Sequence, residues 1–272
     1  MVGILAILLF TLVDAFFVSR LGTAPLAALS FSFPVAMLIL NFALGVGIGT
    51  AALLGFRLGS DDRPAARRMA SHSLLLAIAA GALVGVVGRA TVDPLFSTLG
   101  APSGLLPLIG DYMGVWYAGM VPLMLSMTSN SCLRAAGDTR TPALVMALAG
   151  MGNAILDPVL IFGWGPVPGL GLPGAALATV LAWSGAGALS LYLLAFHQRL
   201  LEARLPRPRE LLGTWGPHLR ISVPAAASNM LMPLAVAALT ALLAQHGPEA
   251  VAAFGVGGRI EALAIVVILA LT

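Results

Sequence analysis

Between Pro25 and Leu58 the chain runs for thirty-four residues with a single charge, Arg57, close to its end. A helix at the surface of a soluble protein carries a polar stripe for water. This segment has none, so only a lipid bilayer can cover it on every side. Seven further runs approach or exceed the roughly 20 apolar residues that a membrane crossing needs. They are Met1–Ser19, Met69–Leu99, Leu105–Ala135, Thr141–Phe162, Gly174–Phe196, Ile221–Gln245 and Glu249–Thr272. Only 9% of the 272 residues are charged, against about 25% in a soluble domain. The expected fold class is an all-α integral membrane protein with eight spans. Pro25–Leu58 is too long for a perpendicular crossing and is expected to tilt or to extend past the bilayer.

Met1–Ser19 lacks the basic start and small-residue cleavage site of a signal peptide, and it holds Asp14 in its apolar part. Orientation follows from the basic residues, all fourteen of which are arginine. Eleven fall after spans two, four and six: Arg57, Arg63, Arg67 and Arg68, then Arg134 and Arg140, then Arg199, Arg204, Arg207, Arg209 and Arg220. Positive charge accumulates on the cytoplasmic side, so the N-terminus is expected there, in the cytoplasmic membrane of a prokaryote. The arginines are dispersed among short loops and form no nucleic-acid patch. Cys132 is the only cysteine and has no partner for a disulfide or a zinc site.

An internal repeat is suggested by Gly22-Thr-Ala-Pro-Leu-Ala27-Ala28 and Gly247-Pro-Glu-Ala-Val-Ala252-Ala253, each lying between two apolar helices. On that register residues 1–196 form a complete six-helix N-terminal lobe and 197–220 a cytoplasmic linker between lobes. Residues 221–272 then supply the first two helices of an incomplete C-terminal lobe, and the chain reads as an N-terminal fragment.

A charged side chain at the middle of a membrane helix costs about 2.5–3.5 kcal/mol even on insertion scales, so each intramembrane acid needs a reason. Asp14 lies in Leu12-Val13-Asp14-Ala15-Phe16 and is too short to reach far towards water. Asp157 follows Asn153 by four residues, which puts both on one helix face. Pro158 removes a backbone donor and leaves a carbonyl over. A carboxylate, an amide and spare carbonyls on one face suit a proton or a sodium ion. The alternative is that Asp157 opens the outer loop and that Asp14 pairs with Arg20, although a spacing of six is poor for helical neighbours.

Other signals carry less. Asp61, Asp62, Asp138, Glu202 and Glu210 lie in loops, Asp93 and Asp111 near outer ends, and Glu261 beside Arg259. Gly169-Leu-Gly171-Leu-Pro-Gly174 spells a dinucleotide fingerprint, but no strand precedes it. Gly45, Gly47 and Gly49 are expected to let helices approach. The eleven methionines read as bundle filler. His72, His197 and His218 fall at cytoplasmic edges and His246 in an outer loop, so no nucleophile–base pair forms and no enzyme is expected.

Taken together, the chain resembles the multidrug and toxic compound extrusion (MATE) family of secondary antiporters. The carrying segments are Val13-Asp14-Ala-Phe-Phe-Val-Ser-Arg-Leu-Gly22, Arg134-Ala-Ala-Gly137-Asp138-Thr-Arg-Thr141-Pro142, Asn153-Ala-Ile-Leu-Asp157-Pro158 through Gly163, and Gly174-Ala-Ala-Leu-Ala-Thr179. The second segment also has a physical role: Gly137 can end span four in the left-handed conformation, with Thr141-Pro142 starting span five.

The resemblance implies a MATE-type helical bundle, twelve helices in two six-helix lobes around a cavity that opens alternately to either side. In the archaeal and DinF-like branch the coupling H⁺ or Na⁺ is handled in the N-terminal lobe, at positions matching Asp14, Asn153 and Asp157. Tyr112, Asn130 and Thr179 match neighbouring pocket positions. No cofactor or metal beyond such a sodium ion is implied. The NorM-like branch has an acid in its seventh helix that Ile221–Gln245 lacks, which places coupling in the first lobe. The expected function is export of small organic compounds, cationic and amphipathic, by a protein monomeric when complete. A lipid-linked precursor flippase of the same superfamily would need a more cationic cavity, and a non-transporting membrane scaffold is the remaining alternative.

Overall fold

The computed structural model describes residues 13–202, 204 and 206–271, with 259 and 262–271 as backbone. It is a helical bundle. Residues 13–19 are the described part of α1, followed by α2 (Thr23–Gly59), α3 (Arg63–Ala90) and the short α4 (Val92–Thr98). Then come α5 (Leu106–Ala118), α6 (Met120–Ala135) and α7 (Arg140–Phe162), a two-residue hairpin β1 (Gly163–Trp164) with β2 (Val167–Pro168), and α8 (Leu172–Tyr192). A π-helical turn, Leu193–His197, prolongs α8, and α9 (Pro208–Ala244) and α10 (Pro248–Leu271) complete the order. Five of these helices are long and apolar enough to cross a membrane, and a sixth span arises if the bent pair α5–α6 is counted as one. The chain is therefore a multi-pass membrane protein. The first twelve residues of the expected first span lie outside the described residues.

The long second run is one helix of 37 residues, about 55 Å at 1.5 Å per residue, far longer than a hydrocarbon core of about 30 Å. Two of its buried hydroxyls spend their hydrogens on their own helix: Ser32 donates to the Ala28 carbonyl and Thr50 to the Val46 carbonyl, each at 2.9 Å. α3 starts six residues before the expected Met69, because the Asp62 carboxylate accepts from the Ala65 N–H at 3.0 Å and Pro64 occupies the first turn. It also stops early, at Ala90. Thr91 turns its hydroxyl onto the Val87 carbonyl, and the rest of the expected span is α4 and a loop.

The expected fourth span is two helices bent by 48° at Gly119. Pro122 has no N–H to offer the Ala118 carbonyl, and a Cβ on Gly119 would overlap Val180 of α8. The bend thus lets α8 pack against the break.

At the α6–α7 turn Gly137 has φ +87°, the left-handed conformation expected of it. The cap differs from expectation. The helix begins at Arg140, and Asp138 Oδ1 rather than Thr141 does the capping, by accepting from the Thr141 N–H at 2.9 Å. The Thr141 side chain, together with this backbone bond, holds the Asp138 carboxyl below the usual carboxylate range.

The polar segment before the expected seventh span is largely helical, since α9 starts at Pro208. Pro208 stands where the helix needs no N–H, and Glu210 Oε2 accepts from the Arg207 N–H at 3.1 Å. The stretch before it is tied down on α3: Arg67 donates twice to the Leu201 carbonyl, at 3.1 and 2.7 Å, and the Glu202 N–H donates to Ser71 Oγ at 2.9 Å.

A continuous core runs through α1, α2, α5, α6 and α8, from Ala15 and Val18 to Phe31, Ile109, Met113, Trp116, Met124 and Ala176. The glycines of α2 meet small or polar partners as anticipated: Gly45 lies against Ala226, Gly47 against Ser131 and Gly49 against Ser222. Large apolar side chains such as Leu83, Val86, Leu148 and Ile155 are exposed on the outside of the bundle, which is the surface a bilayer would cover.

Candidate ion-coupling site

α7 is amphipathic in an inverted sense, with its polar residues facing inward. Asn153 and Asp157 lie one turn apart and both are buried, Asp157 completely. α7 continues to Phe162, so Asp157 sits within the helix rather than at the start of the outer loop.

Asn153 Nδ2 is 3.4 Å from Asp157 Oδ1 and 3.3 Å from Thr179 Oγ1 on α8. The Thr179 hydroxyl gives its own hydrogen to the Ala175 carbonyl at 3.1 Å, so its oxygen is left to accept from Asn153. Both amide bonds are long, and Asp157 Oδ2 has no hydrogen-bond partner among the described residues. A fully buried carboxylate oxygen with nothing on it is expensive. A proton or a monovalent cation on Asp157 would relieve that cost, and the Ala154 carbonyl freed by Pro158 supplies a further oxygen on the same helix.

α8 comes close enough to deliver Thr179 because its first turns are Gly174, Ala175, Ala176 and Ala178, all buried. A Cβ on Gly174 would overlap the Leu160 carbonyl. The end of α7 is meanwhile satisfied by the loop, through Leu170 N–H to the Leu160 carbonyl at 2.8 Å and Gly171 N–H to the Ile161 carbonyl at 3.0 Å.

α1 adjoins the site. Phe17 and Phe162 meet edge to face with ring centroids 6.2 Å apart, which brings the turn carrying Asp14 beside α7. Asp14, half-buried, is an electrostatic neighbour of Asp157. Arg20 lies over the Phe16 ring, 4.9 Å from its centroid.

Of the pocket residues expected from the resemblance, Thr179 is joined to the pair directly. Tyr112 is buried in the same core as Ala15 and Val18. Asn130 is not part of the hydrogen-bonded cluster: its carbonyl accepts from Ser190 Oγ at 3.1 Å and its amide points at Met146 Sδ, 3.6 Å away. Ser190 is eleven residues along α8 from Thr179, about 16 Å at helical rise, so Asn130 belongs to a separate polar level. The residues 126–132 of α6, Ser-Met-Thr-Ser-Asn-Ser-Cys, extend that level, and Ser126, Thr128, Ser129, Ser131 and Cys132 are all buried. No cluster of three or more His, Cys, Asp or Glu suited to a metal ion occurs among the described residues.

The position of His218 in the sequence suggests a cytoplasmic edge of a span; in the structure it is 1% exposed and bonded to Thr50 of α2. The signal for this burial is Gly45 and Gly49, spaced to admit a neighbouring helix at that level.

Comparison with known proteins agrees with the bundle. The MatE family model matches residues 1–159. A protein of Shewanella oneidensis named "FAD transporter" is 45% identical over the whole of this chain, which covers 60% of that relative. "Multidrug export protein MepA" of Staphylococcus aureus is 27% identical over 96% of this chain and 57% of its own length. A solved structure described as the "Inward-facing conformation of a multidrug resistance MATE family transporter of the MOP superfamily" superposes with a TM-score of 0.85 at 32% identity, covering 95% of this chain and 58% of that one. The chain thus spans about three-fifths of the length of these relatives, and it belongs to the MatE family.

Proposed function

We propose that this chain forms the ion-coupling lobe of a secondary active antiporter that exports small organic compounds in exchange for H⁺ or Na⁺. The observation that carries the reading is the completely buried Asp157, held by Asn153 beside Thr179 and neighbouring Asp14 of α1, with one carboxylate oxygen that has no hydrogen-bond partner among the described residues. Such a group has a strong reason to take up a cation, and its neighbour on α1 gives the helix carrying Asp14 a reason to move when it does. Uptake of the ion neutralises the site, α1 repacks, and release of the organic compound is favoured.

The end of the bundle holding the turns after α2, α6 and α8 carries eleven arginines, which supports placing it in the cytoplasm of a prokaryotic inner membrane. The hairpin Gly163–Pro168 then lies outside.

Two substrate readings stand side by side. Relatives named for multidrug export favour a cationic amphipathic compound. The 45% identity to a protein named "FAD transporter", against 27% to MepA, favours FAD. The test is transport by the intact protein in everted vesicles, with a cationic dye and with FAD in parallel. Ion-driven uptake of either one, lost in Asp157→Asn at unchanged membrane level, supports the mechanism and selects the substrate. Unchanged uptake by Asp157→Asn removes that residue from coupling.

A further inference from the structure

We propose that the hairpin joining α7 to α8 is a lipid-binding element: it lies in the headgroup layer at the end of the bundle opposite the arginines, with Trp164 as its anchor. The inference concerns residues outside the ion site and does not depend on the antiporter reading.

From Pro158 to Ala178 the chain holds no charged, hydroxyl or amide side chain. The ends of α7 and α8 account for part of this stretch, but residues 164–170 are exposed throughout. A connection that faces water is expected to carry polar side chains, and the other turns between spans do. Arg20 lies between α1 and α2, Asp61 and Asp62 between α2 and α3, Asp138 between α6 and α7, and Gln245 with His246 between α9 and α10.

The backbone of the hairpin offers water equally little. Pro166, Pro168 and Pro173 have no N–H. The Gly163 N–H donates to the Val159 carbonyl, those of Leu170 and Gly171 to the Leu160 and Ile161 carbonyls, and that of Gly174 to the Gly171 carbonyl. Trp164 pairs with Val167, and Gly163 with Pro168, across the antiparallel turn. Gly163 at φ +87° and Gly165 at φ +59° allow the chain to reverse so tightly. Donors satisfied within the chain are what a segment needs where water is scarce.

Two observations identify lipid as the partner. Exposed Leu144, Leu148, Met151, Ile155 and Phe162 recur along α7 at helical spacing and make one apolar stripe. Trp164, 75% exposed, continues that stripe past the end of the helix. α7 itself has 23 residues, about 34 Å at helical rise, against a hydrocarbon core of about 30 Å. Its last turn therefore reaches the boundary, and Trp164 stands just beyond it. At that depth an indole buries its rings against acyl chains and keeps its N–H among the headgroups. Asp157 lies about two turns back along the same segment, so an anchor at Trp164 sets the depth at which that carboxylate is held.

The test uses the intact protein in liposomes, with its own cysteines replaced by alanine and a nitroxide label at Trp164→Cys or Val167→Cys. Collision of the label with oxygen, which dissolves in lipid, is compared with collision with a water-soluble nickel chelate. A label at Ser60→Cys, exposed after α2 at the arginine-rich end, is the water-facing reference. Both hairpin labels are expected to meet the nickel chelate several-fold less than the reference does, and oxygen more. Nickel collisions equal to the reference would place the loop in water, and protection from both agents would mean that protein covers it. Either result overturns the proposal.

The role of Trp164 is read separately, from the Val167→Cys label in three backgrounds. Trp164→Phe should leave nickel accessibility as low as in the parent, whereas Trp164→Asp should raise it several-fold by drawing the hairpin into water. Equal accessibility in all three overturns Trp164 as the anchor. None of these readouts requires transport, so they decide the proposal even where the antiporter reading fails.

Discussion

Gly45 and Gly49 stand one turn apart on α2 and face the same helix, yet an added methyl group should have different consequences at each. A Cβ on Gly45 would lie 2.5 Å from the Ala226 Cβ, 2.6 Å from its Cα and 2.7 Å from its backbone nitrogen. Ordinary contacts between carbon atoms are about 3.5–4.0 Å, so α9 would have to retreat by about 1 Å along its length. Overpacking of this kind costs about 1–3 kcal/mol. At Gly49 the nearest atom is the Ser222 hydroxyl, which can rotate at the loss of its bond to His218 Nδ1, about 1 kcal/mol, and the next ones are the His218 carbonyl and the Ser222 Cβ, both at 3.2 Å. A few tenths of an ångström suffice there. Both changes gain the same helix propensity, about 1 kcal/mol for glycine to alanine, which cancels in the comparison. Gly45→Ala is therefore expected to be less stable than Gly49→Ala by about 1 kcal/mol. At about 2–4 °C per kcal/mol for a chain of this size, the apparent melting temperatures in detergent should differ by a few degrees at one scan rate. Ala226→Gly should rescue Gly45→Ala only in part, because two of the three close atoms are backbone. Equal melting temperatures for the two variants, or full rescue, would refute the α2–α9 packing described here.

Two further outcomes follow from the polar groups. A double-mutant cycle on Asn153→Ala and Thr179→Val should give a coupling energy near the 0.6 kcal/mol average for side-chain hydrogen bonds in membrane proteins, and not above about 1.7; zero coupling in a folded protein would mean that the 3.3 Å contact does not form. Asp138→Ala should cost about 1 kcal/mol through loss of the cap on α7, measured as a lower melting temperature. Because Asp138 titrates below its unfolded value, its contribution is fully present at neutral pH and is lost only as pH falls below about 4, through the lowered native value. The melting difference between Asp138→Ala and the parent should accordingly be flat from pH 8 to about 5, and a difference that grows on acidification would be inconsistent with the Thr141 bond.

Much of the bundle is legible in hydropathy because lipid imposes a single rule, about twenty apolar residues per crossing. That rule does not see bends. Leu105–Ala135 is apolar through Gly119, so the α5–α6 break is invisible to hydropathy, although Pro122 was a local sign of it. It also misses helix that continues into water: α9 begins at Pro208 because Pro208 and Glu210 suit a first turn, while the arginines around them suggested a loop. The spacing of Asn153 and Asp157 was sufficient to put them on one face, since periodicity within a helix is a local property. Which residues of other helices meet them is not local, and there the outcome is mixed. Thr179 does bond Asn153, whereas Asn130 pairs with Ser190 at another level. His218 illustrates the same limit, for its position in the chain says nothing of its neighbours and only the packing of α9 against Gly45 and Gly49 buries it.

The central claim is that Asp157 takes up the ion that drives export. It is tested most directly in proteoliposomes of the intact protein, by imposing a pH gradient and, separately, a sodium gradient, and following the coupled ion as the organic substrate moves. The account predicts that one gradient drives substrate movement in the parent, with ion flux in the opposite direction, and that Asp157→Asn retains substrate binding but loses both coupled movements. Ion-driven transport in Asp157→Asn equal to that of the parent would contradict it.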